Sequence, residues 1–369
     1  MIFETTSERK RNPPTDVLLT LSITIVLCII LFSTHPYLTL TYDSYDYIAA
    51  SLSADVYLNG SNPDGFAYLV RPPLMPLFLH LSENKVFVAT LLNILAFGAS
   101  LYICLKLARH IIPDALTIGL FIISVTFSYS FLQLHFFLWT EPLFAAIMLG
   151  VFYCMLTKKP VYQVIVLLVL AFLLRKAAGF VTLAAIAVYL NEGNIRQAVM
   201  VALAMVTVFI GWEVFTFIHM CSSASASTWS HHITFSRIPH LDSVTSWILP
   251  RVLPIAARIL VVVVIAIITV LGARTVLVDF WSQRKNQQLF IFWSAYICSV
   301  FVFWGARDFD EADRYLSVAL PLFMLTCFSI FSQLIVARKY KRLLCLLPIL
   351  WLTYPISKCV YHLLTIRFP

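Results

Sequence analysis

Long apolar segments separated by short polar connections run along almost the whole chain. A helix of about 20 apolar residues is long enough to cross the hydrocarbon core of a bilayer. The pattern therefore predicts an all-α, polytopic integral membrane protein with about eleven transmembrane helices. Their expected ranges are 17–32, 86–107, 115–132, 136–156, two short helices within 161–190, 198–218, 253–273, 288–304, 315–336 and 343–361.

The most polar stretch beyond the N-terminus lies between the first two predicted spans, at residues 35–72. It is followed by an apolar piece, 74–81, that is too short to cross a bilayer. We therefore expect an extracytoplasmic first loop that carries interfacial helices. Further outer loops are expected at 219–252 and 305–314, and residues 1–369 are expected to form one transmembrane domain without a soluble domain.

Residues 161–190 decide the topology, because they form either one long helix or two short helices. Two short helices place Arg175 and Lys176 at an outer turn, whereas one long helix places them near the middle of the membrane. Basic residues concentrate in cytoplasmic loops. Only the arrangement with two helices puts the later basic clusters on the side of the basic N-terminus, residues 9–11. The prediction is a cytoplasmic N-terminus, with the acidic residues gathered mainly at the extracytoplasmic face.

Composition supports the membrane class and removes several others. Hydrophobic residues make up 60% of the 369 residues and charged residues 12%, against about 25% charged residues in soluble domains. A soluble fold cannot bury so much apolar surface, which excludes soluble enzymes, disordered chains and disulfide scaffolds. The net charge of +8 is assigned to cytoplasmic loops and not to a nucleic-acid partner. The eight cysteines include no Cys-x-x-Cys pair, which argues against a metal or redox framework.

Several carboxylates on the predicted outer side are candidates for chemistry. Asp43 and Asp46 are three residues apart, so they can share one face of a helix. They are either ordinary residues of an amphipathic surface helix, or one of them is a general base just above the membrane. Glu141 precedes Pro142 before the fourth span, and is either a partner of the helix dipole or a functional carboxylate in apolar surroundings. His135 is a candidate proton or metal partner, although a lone interfacial histidine is usually neither.

Four cations near the outer side are candidates for binding an anion. Arg71 is either a snorkelling side chain or an anion-binding fork. Arg175 and Lys176 lie between two helices that span only about 21 Å each, against about 30 Å of hydrocarbon. A pair recessed in this way should meet an anion, such as a lipid phosphate or the loop carboxylates. Arg314 and Tyr315 follow the acidic run 307–313, which is either a divalent-metal loop or a solvated loop.

Taken together, these motifs resemble the glycosyltransferase C superfamily, specifically the relatives of protein O-mannosyltransferases and lipid A aminoarabinose transferases. The resemblance covers roughly residues 15–190, with a second patch at 311–325. Ser44 stands where the family usually carries a second acid. The matching motifs are Asp43-Ser44-Tyr45-Asp46-Tyr47, Arg71-Pro72-Pro73-Leu74, Glu141-Pro142-Leu143, Arg175 after the short fifth span, and Arg314-Tyr315 entering a late span.

The resemblance implies transfer of a sugar from a polyprenyl-phosphate donor to an acceptor hydroxyl on a glycan, lipid or protein. It places the reaction at the extracytoplasmic face of the cell (inner) membrane, as a single inverting displacement. Asp43 is the expected general base and Asp46 the second candidate, while Glu141 is expected to orient Asp43, the acceptor or a divalent metal ion. Whether a metal cofactor takes part is left open. The residues expected to bind the donor phosphate are Arg71, Arg175, Lys176, Arg314 and Tyr315.

Other functions remain as alternatives. A flippase or transporter of lipid-linked sugars typically has polar residues throughout its spans, whereas Glu213 is essentially the only ionisable residue that we expect within them. An outer-face glycan polymerase or ligase is indicated by a large outer loop rich in Arg and His, and the predicted loop 219–252 has this composition. Its Arg and His residues are His219, His231, His232, Arg237, His240 and Arg251. A purely structural membrane protein is the remaining class.

Overall fold

In the computed structural model, all regular secondary structure among the described residues is α-helical. The structure describes residues 40, 42–52, 72–220, 238–247, 253–272, 274–303 and 309–337, with isolated positions at 22 and 25. The helices in these ranges are α1 Tyr42–Leu52, α2 Leu74–His80, α3 Lys85–Ile111, α4 Ala115–Thr126, α5 Tyr129–Phe136, α6 Glu141–Leu156, α7 Val161–Leu174, α8 Ala178–Asn191, α9 Ile195–Met220, α10 Ile238–Ser246, α11 Ile255–Gly272, α12 Arg274–Ser282, α13 Arg284–Phe303, α14 Phe309–Ser317 and α15 Leu320–Ala337.

The longer apolar helices are those of a membrane-embedded protein. Among the described residues, α3, α13 and the Ile195–Phe215 part of α9 are long and apolar enough to cross a membrane. The bent pair α4–α5 is a fourth if it forms one span. Helices α6, α7, α8 and part of α15 are apolar but shorter. The prediction of about eleven spans is thus supported only in part. The first and last predicted spans, 17–32 and 343–361, lie outside the described residues apart from positions 22 and 25.

The predicted break within residues 161–190 is confirmed. Helix α7 ends at Leu174, because the backbone of Arg175 is extended with φ −158° and ψ 132°. Helix α8 begins at Ala178, so the two basic residues between the helices lie outside both. After α8 the chain reverses at Gly193, whose φ of 74° lies in the left-handed region that glycine adopts without steric cost.

The third and fourth predicted spans differ from the observed helices. The predicted span 115–132 is two helices, α4 and α5, bent by 46° at Phe127 and Ser128. The predicted span 136–156 begins later, at Glu141, after the non-helical residues 137–140. Pro142 stands in the first turn of α6, where a missing N–H removes no helical hydrogen bond. The sequence marks this break only by the hydroxyl residues Ser124, Thr126, Ser128 and Ser130, which transmembrane helices also contain.

The tenth predicted span, 315–336, also comprises two helices. Helix α14 ends at Ser317, and α15 starts at Leu320 with Pro321 in its first turn. Arg314 and Tyr315 therefore lie on a separate short helix and not at the entry of a long span. Residues 309–314, expected to form a loop, are helical. Helices α10 and α12 were not predicted, because both are short and lie where polar loops were expected.

The core lies between α3, α6, α8, α13 and α15, whose facing side chains are buried. Helix α8 packs against α7, α9 and α13, and α6 packs against α3 and α7. Phe152 of α6 contacts Phe292 of α13, with ring centroids 5.1 Å apart. In contrast, Leu203, Val206 and Ile210 of α9 are exposed, which is the pattern expected of a surface that faces lipid.

Polar contacts mark the two ends of this helical bundle. At one end, the Ser332 hydroxyl donates to Asp114 Oδ2 at 2.5 Å, and Arg284 Nε lies 3.5 Å from Glu192 Oε1. At the other end, Glu141 pairs with Arg175. Helix α8 separates Arg175 from Glu192 by 14 helical residues, so the two sets of contacts lie at opposite ends. The functional candidates are found at the end that contains Glu141.

Candidate functional site

Three charged residues from distant parts of the chain meet in one buried group, which we call the Glu141 cluster: Glu141, Arg175 and Arg314. Both arginines pair with the same oxygen, Glu141 Oε1; Arg175 does so through Nη1, and Arg314 through Nε at 2.5 Å. The Glu141 side chain is 1% exposed, and those of Arg175 and Arg314 are 11% and 13% exposed. Glu141 begins α6, Arg175 follows α7 and Arg314 belongs to α14, so tertiary packing forms the cluster.

The cluster is held by the ion pairs of Glu141 with both arginines, and Arg314 Nε also donates a charge-assisted hydrogen bond to Glu141 Oε1. Two guanidinium groups next to one carboxylate favour its ionised form, because each opposite charge stabilises it. Bonds of this kind are about twice as strong as neutral ones. Breaking a buried ion pair by removing one partner costs about 3–5 kcal/mol, since the other charge is left uncompensated. Removing Glu141 therefore leaves two buried charges without their counter-charge.

Aromatic rings hold each guanidinium group from a second side. Arg175 Cζ lies 4.3 Å from the ring centroid of Tyr315, and Arg314 Cζ lies 4.2 Å from that of Trp139. The backbone carbonyl of Tyr315 accepts a hydrogen bond of 2.7 Å from the Tyr296 hydroxyl. A planar guanidinium group stacks favourably on an aromatic face. The rings therefore position both arginines in addition to their bonds with Glu141.

Helix α1, which belongs to the predicted first outer loop, docks onto the segment that precedes Glu141. The buried Ser44 hydroxyl donates to the Leu138 carbonyl at 3.0 Å. The Tyr47 hydroxyl lies 3.5 Å from Thr140 Oγ1, which in turn donates to Glu141 Oε2 at 3.4 Å. Ser44 and Tyr47 are three residues apart and share one face of α1. The helix that carries Asp43 and Asp46 is thereby anchored next to the Glu141 cluster.

The non-helical segment 137–140 is held from its other side by Asn93 of α3. The buried Asn93 amide donates from Nδ2 to the carbonyls of His135, at 3.2 Å, and Phe137, at 2.9 Å. Backbone carbonyls freed at a helix break within apolar surroundings need partners inside the protein. Asn93 and Ser44 supply those donors, and they fix the segment that leads into Glu141.

The structure brings together some of the predicted site residues and separates others. Glu141, Arg175, Arg314 and Tyr315 lie together, as described above. Lys176 points to a different partner, because its Nζ pairs with Glu213 Oε1 of α9 at 2.8 Å and both side chains are about one third exposed. The anions that meet the recessed basic pair are therefore two carboxylates, Glu141 and Glu213.

The remaining predicted residues belong to the first outer loop. Asp46 is half-buried on α1. The backbone of Asp43 is part of α1, one helical turn before Asp46, but its side chain lies outside the described residues. Arg71 lies outside them entirely. The roles expected of Asp43 and Arg71 stay predictions.

His135 shows the contacts of a packed core histidine. Its ring lies 4.9 Å from the ring of Phe97 and 5.0 Å from that of Phe131, and its Nδ1 lies 3.0 Å from the Phe131 carbonyl. Within the described ranges, no group of three His, Cys, Asp or Glu side chains is placed to hold a metal ion. The side chains of the acidic run at 308–311 lie outside those ranges, so the expected alternative of a divalent-metal loop there stays a prediction.

An apolar groove of about 320 Å³ is lined by residues of α2, α7 and α9. Leu173, on the α7 wall, is two residues before Arg175, and Trp212, on the α9 wall, directly precedes Glu213. The walls of the groove therefore come within two residues of Arg175 and one residue of Glu213 along the chain. Its lining residues are Pro73, Leu77, Phe172, Leu173, Val208, Gly211, Trp212 and Phe215.

A second buried ion pair was missed in the sequence. Arg258, on the first turn of α11, pairs with Asp242 of α10 and also donates to Thr245 Oγ1 at 3.2 Å. Helix α10 packs against α14, which carries Arg314. The expectation that the predicted spans contain essentially one ionisable residue, Glu213, is therefore wrong. Arg258, near the start of the predicted span 253–273, was the feature of the sequence that indicated a buried ion pair.

The site combines two positioned guanidinium groups, a carboxylate and an apolar groove, which is an arrangement suited to an anion attached to an apolar chain. Comparisons of the chain with models of known protein families, with curated proteins and with solved structures find no match. The contacts of the site and the motifs of the sequence are therefore the basis of the functional proposal.

Proposed function

We propose that the protein is a membrane glycosyltransferase that moves a sugar from a polyprenyl-phosphate donor to an acceptor hydroxyl at the extracytoplasmic face of the cell membrane. The observation that carries the proposal is the meeting of Arg175 and Arg314 at one carboxylate. An apolar groove accompanies it, whose lining residue Leu173 is two residues before Arg175. The donor has the matching chemistry, because it joins a phosphate to a long apolar chain. The resemblance of the sequence motifs to the glycosyltransferase C superfamily supports the same activity.

In this proposal the arginines bind the phosphate of the donor and the groove receives its isoprenoid chain. The two guanidinium groups offer several N–H donors in fixed directions, which suits the oxygens of a phosphate. Lys176 directly follows Arg175 and adds a positive charge, although Glu213 partly neutralises it. Arg71, which precedes the groove residue Pro73, is expected to contribute from the first outer loop.

The transfer is a single displacement at the anomeric carbon of the sugar. The acceptor oxygen forms a bond to this carbon while the bond from the carbon to the phosphate oxygen breaks. The acceptor proton goes to the carboxylate of Asp43, with Asp46 as the second candidate, and the leaving phosphate takes the electron pair. Negative charge grows on the phosphate in the transition state, so Arg175 and Arg314 stabilise that state more than the bound substrate.

The proposal is tested by mass spectrometry of lipids and glycans from cells with the wild-type gene, without it, or with Arg314→Lys. Without the gene, we expect one sugar to be missing from a glycan, lipid or protein and the polyprenyl-phosphate sugar to accumulate. Arg314→Lys should give the same result with a loss of transfer of about 100-fold or more. Arg196→Lys is the matched control, because Arg196 is exposed at the opposite end of the bundle.

Two outcomes of this experiment would contradict the proposal and indicate another function. Loss of whole repeat blocks from a polymer, with single sugars intact, indicates the glycan polymerase or ligase. A lipid-linked sugar retained on the cytoplasmic side indicates the flippase.

The general base is tested separately with Asp43→Asn, which should abolish transfer while the protein remains in the membrane at its normal level. An active variant would show that another residue is the base.

A further inference from the structure

Glu141 holds both guanidinium groups that are proposed to bind the donor phosphate. Nη1 of Arg175 and Nε of Arg314 converge on a single oxygen, Glu141 Oε1. We propose that the Glu141 carboxylate closes this anion site and that the phosphate of the ligand displaces it on binding. The inference rests on the proposed function, since it takes the two arginines as the phosphate-binding groups.

A carboxylate and a phosphate cannot both occupy the space between the two arginines. Two anions in one buried site repel each other strongly, and the effect is greatest where the local dielectric constant is low. The donor phosphate is a diester with two non-bridging oxygens and one negative charge, which matches a carboxylate. The polyprenyl phosphate that leaves is a monoester with three such oxygens and a charge of about −1.5 to −2. The two guanidinium groups can therefore exchange their bonds with Glu141 for bonds with the phosphate.

The arginines have contacts that do not depend on Glu141. Arg175 keeps the ring of Tyr315, and its backbone N–H donates to the Ala171 carbonyl at 2.8 Å. Arg314 keeps the ring of Trp139, which is itself stacked on Phe137 with ring centroids 4.2 Å apart. The guanidinium groups can thus stay in place when the carboxylate leaves.

The Glu141 carboxylate is held less firmly on its other side. Its second oxygen, Oε2, accepts one long hydrogen bond of 3.4 Å from Thr140. Glu141 is the first residue of α6, where the helix dipole favours a negative charge irrespective of the arginines. The hydroxyls of Thr140 and Tyr47 lead from the carboxylate towards α1. A displaced Glu141 carboxylate therefore moves towards the helix that carries Asp46.

The test measures binding of a polyprenyl phosphate to the purified full-length protein in nanodiscs of phosphatidylcholine. Inorganic phosphate and the uncharged polyprenol are the two comparison ligands, which separate a lipid phosphate from a free one. Removing the competing carboxylate in Glu141→Ala should raise the affinity for polyprenyl phosphate about tenfold, and Glu141→Gln should raise it as well. Glu192→Gln is the matched control, because it neutralises another carboxylate that pairs with an arginine, at the opposite end of the bundle.

Formate provides a second measurement. Added to Glu141→Ala, it should occupy the position of the missing carboxylate and lower the affinity for polyprenyl phosphate again, whereas chloride at equal ionic strength should not. Wild-type protein, whose own carboxylate is already in place, should respond little to formate. A purely structural role of Glu141 does not produce this competition. If Glu141→Ala does not fold, Glu141→Gln decides the question by its affinity alone.

Different results would contradict the displacement of Glu141 and the proposed function. Lower affinity in Glu141→Gln and in folded Glu141→Ala, with formate restoring tight binding to the latter, shows that Glu141 is needed to position the arginines. That result overturns the displacement and leaves the proposed function standing. Absence of saturable binding in wild type and in every Glu141 variant, or binding that is unchanged by Arg314→Ala, overturns the phosphate site and the displacement together. Tighter binding of inorganic phosphate than of polyprenyl phosphate overturns the choice of a lipid ligand.

Discussion

At the scale of single residues, the hydroxyl of Ser44 makes a contact that an acid at the same position cannot make. Ser44 Oγ donates to the carbonyl of Leu138, and an ionised carboxylate has no proton to donate. The resemblance to the glycosyltransferase C superfamily places a second acid at this position. The serine is thus explained by docking, because a donor is needed where α1 meets the segment before Glu141.

We expect Ser44→Ala to lower the free energy of unfolding by about 1–3 kcal/mol, since the buried Leu138 carbonyl loses its donor. Ser44→Asp should cost more, because it adds a charge that faces a carbonyl oxygen. Thermal unfolding of the purified protein in detergent measures both effects. Tyr45→Phe is the control, as it also removes a hydroxyl but from a residue that is 60% exposed. Equal stability of Ser44→Ala and wild type would contradict the docking role.

The charged members of the site could be predicted individually, but their pairing could not. Charged residues are rare in this chain, and each recessed one needs a partner, which singled out Glu141, Arg175 and Arg314. Which carboxylate meets which cation depends on how α6, α7 and α14 pack together. Lys176 illustrates the limit: it is adjacent to Arg175 in sequence, yet it pairs with Glu213 on a different helix.

At the scale of secondary structure, the breaks in the apolar segments position the site. The break between α7 and α8 could be predicted because two charged residues mark it. The non-helical segment 137–140 could not, because its residues are apolar or neutral and continue the pattern of a span. This non-helical segment is stabilised by the Asn93 side chain on α3, which lies more than 40 residues earlier in the chain and donates hydrogen bonds to the freed carbonyls of His135 and Phe137.

Asn93→Leu should therefore destabilise the protein by about 1–3 kcal/mol or more, because the carbonyls of His135 and Phe137 lose their donor. Asn93→Asp should be worse still, since it places acceptor oxygens or a buried charge against the same carbonyls. The control is Thr90→Val, one turn earlier on α3, which removes a hydroxyl that bonds only within its own helix. The measurement is thermal unfolding together with the yield of monodisperse protein. A loss no greater than that of Thr90→Val would show that segment 137–140 is held by other contacts.

At the scale of the whole molecule, the chain runs alternately between two chemically distinct ends. The Glu141 cluster lies at one end, and Asp114, Glu192 and Arg284 lie at the other. The distribution of basic residues predicts which of these two ends is cytoplasmic. The number of spans follows less directly from the sequence, because helices such as α10, α12 and α14 are too short and too polar to show as separate apolar segments.

Cysteine labelling tests the orientation of the two ends. In a chain whose eight cysteines are replaced, Glu83→Cys should react with a membrane-impermeant maleimide in intact cells, because Glu83 precedes α3 at the end of the Glu141 cluster. Lys159→Cys, after α6 at the other end, should react only after permeabilisation, and both residues are exposed. Asn194→Cys, which follows α8, is the control for the second end. The reverse result would place the Glu141 cluster on the cytoplasmic side.

The shortness of α7 and α8 has a consequence for the surrounding lipid. Each helix has 14 residues and a length of about 21 Å, whereas the hydrocarbon core is about 30 Å thick. Such hydrophobic mismatch is relieved when the bilayer thins locally. Thinning beside these helices draws the headgroup layer inward towards Arg175. For the proposed function, this means that a phosphate on a lipid reaches the recessed arginines while its tail stays in the membrane.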